Sequence, residues 1–318
     1  MSHLLEQAQA GDPRATARLV SLVENRSPRL REAMAVLVEH VGTSRTIGVT
    51  GSPGVGKSTL VTRLVGAYRD AGARVAVLAV DPSSPYTGGA VLGDRVRMQE
   101  HATDPGVFIR SMASRGHLGG LSWATPQALR VMDAAGFDVV VVETVGVGQS
   151  EVEVAGLADS TIVVLAPGLG DGIQAAKAGI LEVSDVFVVN KADRAGANEV
   201  VRDLTAMLRA APTVPAAESA GWTPPVVRTE AHQGKGIDEL VAGLDDHADW
   251  LATSGRLLER RRRQAREEVV ALAQTAFVDA AQQAMGTRAL DSLADEVVAG
   301  RLDPYTAADL LIEAAAAS

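Results

Sequence analysis

The chain has 318 residues, enough for one large domain or two modest ones with a full core, and no cysteine, which excludes disulfides, thiolate metal sites and a cysteine nucleophile. A net charge of −9 and an aromatic content of 3% argue against nucleic-acid binding, whether by clustered positive charge or by base stacking. The N-terminal MSHLLEQAQAGDPR has no basic start followed by an apolar stretch, and no uncharged apolar run reaches the roughly 18 residues that a bilayer needs, so a cytoplasmic protein is expected.

Residues 2–41 read as helix, with Leu4, Leu5, Ala8, Ala15, Leu19, Leu22 and Val23 near helical spacing. Asp12-Pro13 interrupts the run and fits a cap with proline at the first helical position. Seven short apolar segments follow: Thr46–Thr50, Arg74–Val80, Val107–Ile109, Phe137–Val142, Thr161–Ala166, Val186–Val189 and Val226–Thr229. Most are continuous Val/Ile/Leu runs, as strands buried on both faces are, and the gaps between them hold crossover helices. The expectation is an α/β fold with a mostly parallel sheet. After about residue 237 the chain is helical again. Arg260–Arg263 reads as a solvated helix face, Gly286 and Gly300 as punctuation, and Asp303-Pro304-Tyr305 as the start of a last helix. The layout is a helical arm (1–41), an α/β core (42–245) and a helical extension (246–318) suited to packing or dimerisation.

The segment Gly51-Ser52-Pro53-Gly54-Val55-Gly56-Lys57-Ser58-Thr59 completes the G-x-x-x-x-G-K-[ST] pattern between a strand and the helical run Leu60–Arg69. Its glycines let backbone N–H groups converge on phosphate oxygens, and the helix N-terminus adds a favourable dipole. Lys57 is placed for the β- and γ-phosphates and the Ser58 hydroxyl for Mg²⁺. The bland alternative is a Gly-rich turn without a ligand.

Asn190-Lys191-Ala192-Asp193 follows the strand Val186–Val189, on the ligand-binding edge of an open α/β sheet. One carboxylate, Asp193, can accept both the N1–H and N2–H₂ donors of guanine. Asn190 is read as contacting N7 or tying loops together, and the Lys191 stem as lying across the base. Adenine would leave Asp193 poorly paired, so the site favours GTP and GDP over ATP. Thr229-Glu230-Ala231 follows the next strand as a partial match to a third base contact, with a Glu before the alanine.

Acids at strand ends supply the metal side. Asp81 begins a turn-rich stretch, 82–93, that ends at Asp94, and Glu143 closes the run Phe137–Val142 before Gly146 and Gln149. Asp81, Asp94 and Glu143 are candidates for the Mg²⁺ shell. Gly146 N–H is placed to sense a γ-phosphate. Gln149 reads either as orienting water or as a solvated loop side chain. The stretch Asp171–Lys177 reads equally as a mobile element or a simple turn. The six histidines show no metal-ligand spacing.

The segments GVTGSPGVGKSTL, AVDPSSPYTGGAVLGDRVRM, ETVGVGQSE and NKAD resemble those of the MeaB/ArgK family of GTPases, and the resemblance covers nearly the whole chain. It implies a SIMIBI-type phosphate-loop GTPase that forms a homodimer and chaperones an adenosylcobalamin-dependent acyl-CoA mutase, usually methylmalonyl-CoA mutase, coupling GTP hydrolysis to cofactor loading and protection. It implies phosphate contacts from Gly54 to Thr59, Mg²⁺-linked roles for Ser58, Asp81, Asp94 and Glu143, and base recognition by Asn190, Lys191 and Asp193. It also implies that Asp171–Lys177 is a third switch facing the partner. Tyr86, Val91 and the Thr229–Ala231 turn depart from the commoner pattern. The alternatives are a metal-delivery GTPase, which the lack of Cys and of a His cluster opposes, and a small-molecule kinase, which Asp193 opposes.

Overall fold

The computed structural model describes residues 1–81, 99–113, 124–144, 150–168, 183–210, 221–286 and 289–316. These form two units, Met1–Arg260 and Arg261–Ser318. The first unit is built on seven strands: β1 (Arg45–Thr50), β2 (Val75–Asp81), β3 (Val107–Ala113), β4 (Val139–Thr144), β5 (Ser160–Leu165), β6 (Val186–Asn190) and β7 (Val226–Thr229). They lie in the order β3-β2-β4-β1-β5-β6-β7, and every pairing is parallel. All seven expected strands are present. β3 runs four residues past the expected Ile109: Arg110 and Ser111 interrupt its apolar run before the buried Met112, and Arg110 donates to Glu24 and Ser21.

Alternation within each strand divides the core into two faces. Val75 and Val77 of β2, Ile47 and Val49 of β1, and Val186 and Val188 of β6 pack with helices α4 (Lys57–Asp70) and α8 (Ile237–Thr253). Ala76, Leu78 and Val140 face the other way. There they meet α5 (Thr125–Ala134) and the N-terminal helices α1 (Ser2–Gln9), α2 (Pro13–Glu24) and α3 (Leu30–Leu37), through Leu5, Leu19, Val23 and Leu37. Residues 1–41 thus cover the β2–β3–β4 end of this face. Asp12 caps α2 as its sequence suggests, accepting from Arg14 N at 2.8 Å with Pro13 at the first position. On the same face, α6 (Ser150–Leu157) lies close against β1: a Cβ on Gly48 would sit 3.1 Å from Val154 Cγ2. α7 (Ala197–Ala210) packs Val200 and Leu204 on Phe187 and Val189.

Three aspartates repeat one arrangement at the N-terminal edge of the sheet. Asp138, Asp159 and Asp185 each immediately precede a strand. Each donates its own backbone N–H to the carbonyl of one neighbouring residue and accepts that residue's N–H through Oδ2: Arg74 at 2.7 Å, Thr46 at 3.0 Å and Thr161 at 2.8 Å.

Asp185 is also the centre of a buried charged cluster. Arg260 donates to its two oxygens at 2.9 and 3.1 Å, and His247 Nε2 of α8 lies 3.2 Å from Oδ1. His247 Nδ1 is 2.8 Å from Ser160 Oγ, Trp222 Nε1 donates to Asp185 O at 2.8 Å, and the rings of Trp222, His247 and Trp250 pack together. Arg260 therefore does not belong to a solvated face. A buried carboxylate requires a paired cation, and the first turn of α9 (Arg256–Met285) supplies it.

The second unit comprises the rest of α9, α10 (Ala289–Val298) and α11 (Pro304–Ala316), with Gly286 and Gly300 just past the ends of α9 and α10. α11 starts where the sequence predicts, capped by Asp303 on Tyr305 N and Thr306 N at 2.9 and 3.1 Å. Val269, Val270, Leu272 and Phe277 of α9 are exposed. Among the described residues, no helix is long and apolar enough to cross a membrane.

Candidate functional site

The C-terminal ends of β1, β4 and β6 meet around the loop that joins β1 to α4. Two glycines in this loop are dictated by contact. Gly51 has φ +138°, and a Cβ there would overlap the Val164 carbonyl of β5. Gly56 has φ +98°, and a Cβ would stand 2.5 Å from Asn190 Nδ2. The loop then enters α4, so the first N–H groups of that helix face the loop's concave side. Lys57 is buried and its Nζ donates back to Gly51 O at 2.6 Å and Ser52 O at 3.2 Å, curling the ammonium over the loop.

At the end of β4, Ser58 Oγ donates to Glu143 Oε1 at 2.7 Å. Both residues are buried, at 6% and 1% exposure. An alcohol and a carboxylate at a strand end, beside a phosphate loop, form an all-oxygen donor set of the kind that suits a hard divalent cation. Thr144 Oγ1 donates to Thr50 Oγ1 at 3.2 Å and braces the ends of β4 and β1. Among the described residues there is no group of three or more His, Cys, Asp or Glu placed to hold a metal.

Asn190, at the end of β6, joins three chain segments through one carboxamide. Its Nδ2 donates to Val55 O in the phosphate loop at 2.9 Å. Its Oδ1 accepts from Thr229 Oγ1 at 3.0 Å and Ala231 N at 3.1 Å. Lys191, at φ +57°, extends over the same loop and donates to Gly54 O at 2.6 Å. Ala192 N bonds to Thr229 O at 3.0 Å, and Asp193 stands exposed on the turn that follows. The 3₁₀ turn Ala231–Gln233 comes directly after β7. The Glu230 that breaks the sequence pattern is tied aside: its carboxylate pairs with Lys235 Nζ at 2.9 Å, and its N–H bonds to Lys235 O. Ala231 itself is buried against Asn190.

Gly51 to Thr59, Glu143, Asn190–Asp193 and Thr229–Ala231 are therefore brought to one edge of the sheet. Asp81 ends β2 on that edge, where its backbone pairs with Ala113. Asp94, Gly146, Gln149 and Asp171–Lys177 lie outside the described residues. Sequence reasoning missed Arg63 of α4, whose Nε donates to Ala231 O at 3.2 Å. An arginine in the middle of a helix carries no local signal of such a contact.

A family model described as methylmalonyl-CoA mutase-associated GTPase MeaB matches residues 16–286. A putative GTPase of Pyrococcus horikoshii is 46% identical to this chain over 98% of each. A mouse mitochondrial protein named as a methylmalonic aciduria type A homolog is 34% identical over 96% of this chain and 77% of its own length. The crystal structure of a protein described as a LAO/AO transport system kinase shares 28% identity and superposes with a TM-score of 0.69, covering 98% of this chain and 96% of that one. A match that begins within α2 and ends just beyond α9 takes in the sheet, the phosphate loop and the Asn190–Asp193 loop together, and it places the chain in the MeaB family of GTPases, enzymes that convert GTP and water to GDP and phosphate.

Proposed function

We propose that this GTPase serves as a chaperone of an adenosylcobalamin-dependent acyl-CoA mutase, with methylmalonyl-CoA mutase as the first candidate. GTP hydrolysis is coupled to loading the cofactor and protecting the mutase, and the protein works in the cytoplasm as a homodimer. The partner is supported by the family's description as mutase-associated. The guanine nucleotide reading rests on the Asn190 carboxamide, which fixes the phosphate loop and the post-β7 turn to each other and leaves Asp193 exposed beside them.

In this reading Gly51–Thr59 hold the phosphates through backbone N–H groups, Lys57 leaves the loop carbonyls for the β- and γ-oxygens, and Asp193 accepts from guanine N1–H and N2–H₂. Ser58 and Glu143, with Asp81 and Asp94, would hold Mg²⁺, which when bound neutralises charge between the β- and γ-phosphates. Gly146 and Gln149 remain candidates for the γ-phosphate and the attacking water, and Asp171–Lys177 for the partner-facing switch. The exposed apolar row Val269, Val270, Leu272 and Phe277 is the proposed dimer surface.

The test measures steady-state GTP turnover by the purified chain, with and without the cobalamin-loaded methylmalonyl-CoA mutase of the same cell. Slow basal turnover that rises several-fold with the mutase is expected. No response to any cognate mutase of that cell would overturn the partner assignment, and a monomer in sedimentation would overturn the dimer.

A further inference from the structure

Helix α4 reaches the base side of the site as well as the phosphate side. Its first residues, Lys57 and Ser58, sit at the phosphate loop. Arg63 lies well along the same helix, and its guanidinium points across to the turn after β7. Nε donates to Ala231 O at 3.2 Å and Nη2 to His232 O at 3.5 Å. Ala231 is also the residue whose N–H reaches Asn190 Oδ1. The turn is thus gripped on both sides, its N–H by Asn190 and its carbonyl by Arg63.

The other neighbours of Arg63 do not explain its placement. Glu100 Oε2 is 3.4 Å from Nη1, but Glu100 is 60% exposed, and an ion pair so exposed contributes little. His101 packs beside Gly66 of the same helix, with Nε2 2.9 Å from the carbonyl of Thr62, the residue before Arg63. A carbonyl only accepts, so that nitrogen carries the proton and gives no donor or acceptor to Arg63.

We propose that Arg63 is a positioning residue for base recognition. By holding the Ala231 and His232 carbonyls from α4, it makes the base-side turn and the phosphate loop parts of one rigid piece. The inference rests on the nucleotide-site reading above and adds to it a residue that touches neither base nor phosphate. Its loss loosens the base turn while Lys57, Ser58 and the phosphate loop stay in place.

The experiment uses the full chain carrying Arg63→Ala, Arg63→Lys or Arg63→Gln, with Glu100→Gln as a control. For Arg63→Ala, KM for GTP should rise about ten-fold with kcat within about two-fold. The preference for GTP over ATP should fall by about the same ten-fold factor, while inorganic tripolyphosphate should compete as well as it does against the unaltered protein. Arg63→Lys, able to donate to one carbonyl, should recover part of the loss, and Glu100→Gln should stay within about two-fold. An unchanged KM, a fall in kcat alone, or an equal loss of tripolyphosphate binding would overturn the proposal. Should Arg63→Ala not fold, the Lys and Gln variants carry the same comparison. Equal binding of ATP and GTP by the unaltered protein would instead remove the nucleotide-site reading. A clear GTP preference, lost in Asp193→Asn but untouched in every Arg63 variant, would remove only the role of Arg63.

Discussion

Asn190 Nδ2 donates to Val55 O across a gap of 135 residues in sequence, at 2.9 Å. With Thr229 Oγ1 and Ala231 N on its other end, the carboxamide serves three buried or half-buried partners. Asn190→Ala strands all of them, at about 1–3 kcal/mol for each buried group left unpaired. GTP affinity should fall at least about ten- to a hundred-fold by calorimetry. A loss under about two-fold would show that the phosphate loop and the base turn hold their places without it.

The Ser58–Glu143 hydrogen bond leads to a metal-specific expectation. Glu143→Gln keeps the shape and removes the charge, so Mg²⁺-dependent GTP hydrolysis should drop about ten- to a hundred-fold. GDP binding measured in a chelator should change by less than about three-fold, since no cation is then held. Equal losses in the two assays would place Glu143 in direct contact with nucleotide or in folding.

For the Asp185 cluster the readout is stability. Asp185→Ala leaves Arg260 buried without its carboxylate and should cost about 3–5 kcal/mol in urea unfolding. Pairing Asp185→Leu with Arg260→Met should recover much of that loss. Burial pushes the Asp185 carboxyl up, but hydrogen bonds from His247 and Arg260, and their charges, outweigh it and hold the group below the usual carboxylate range. The unfolded chain therefore takes up this proton first. The stabilisation is complete above the ordinary aspartate value of about 4 and is lost as pH falls through the lower folded value. Acid unfolding of the Leu/Met pair should accordingly be less steep, and an identical acid limb in both proteins would contradict the assignment.

Tyr68 on α4 gives the opposite sign at high pH. Burial pushes its phenol up to about 12, with the Arg45 charge working against the rise and the Asp245 charge with it. Its hydroxyl has no hydrogen-bond partner among the described residues. A folded value above the unfolded value of about 10 means that the neutral phenol is favoured on folding; this contribution is full below about 10 and fades as pH rises toward 12. Tyr68→Phe should be neutral or slightly stabilising at neutral pH and should flatten the alkaline decline in Tm. A Tyr68→Phe protein markedly less stable at pH 7 would mean that the hydroxyl has a partner after all.

The elements legible in the sequence are those whose cause is local. Buried Val runs announce strands, Asp12 before Pro13 announces a cap, and the glycine spacing of 51–56 announces a phosphate loop, because each obeys a rule spanning a few residues. Asn190–Asp193 was legible for the same reason, as a short motif at a strand end. Arg260 was not: four consecutive arginines look alike until Asp185, 75 residues away, selects one of them. His247 and Trp222 share that fate, as does Arg63, whose partners are backbone carbonyls and leave no mark on the sequence. The second half of β3 is hidden because Arg110 and Ser111 break its apolar run, and the partners of Arg110, Glu24 and Ser21, lie 86 and 89 residues away.

The aspartates 138, 159 and 185 answer a difficulty that the strands themselves create. Four consecutive positions in each of β4 and β5 are Val, Ile or Leu, so sliding one strand past its neighbour by two residues exchanges one branched side chain for another at small cost along that run. Such strands define a face but not a starting line. Each aspartate supplies one by clasping a single N–H of the adjacent strand, a bond that a slipped pairing forfeits while leaving its carboxylate short of a partner. The opposite ends of those strands carry Glu143 and Asn190, so the alignment of the nucleotide edge is set from the far side of the sheet, by residues that never approach a ligand.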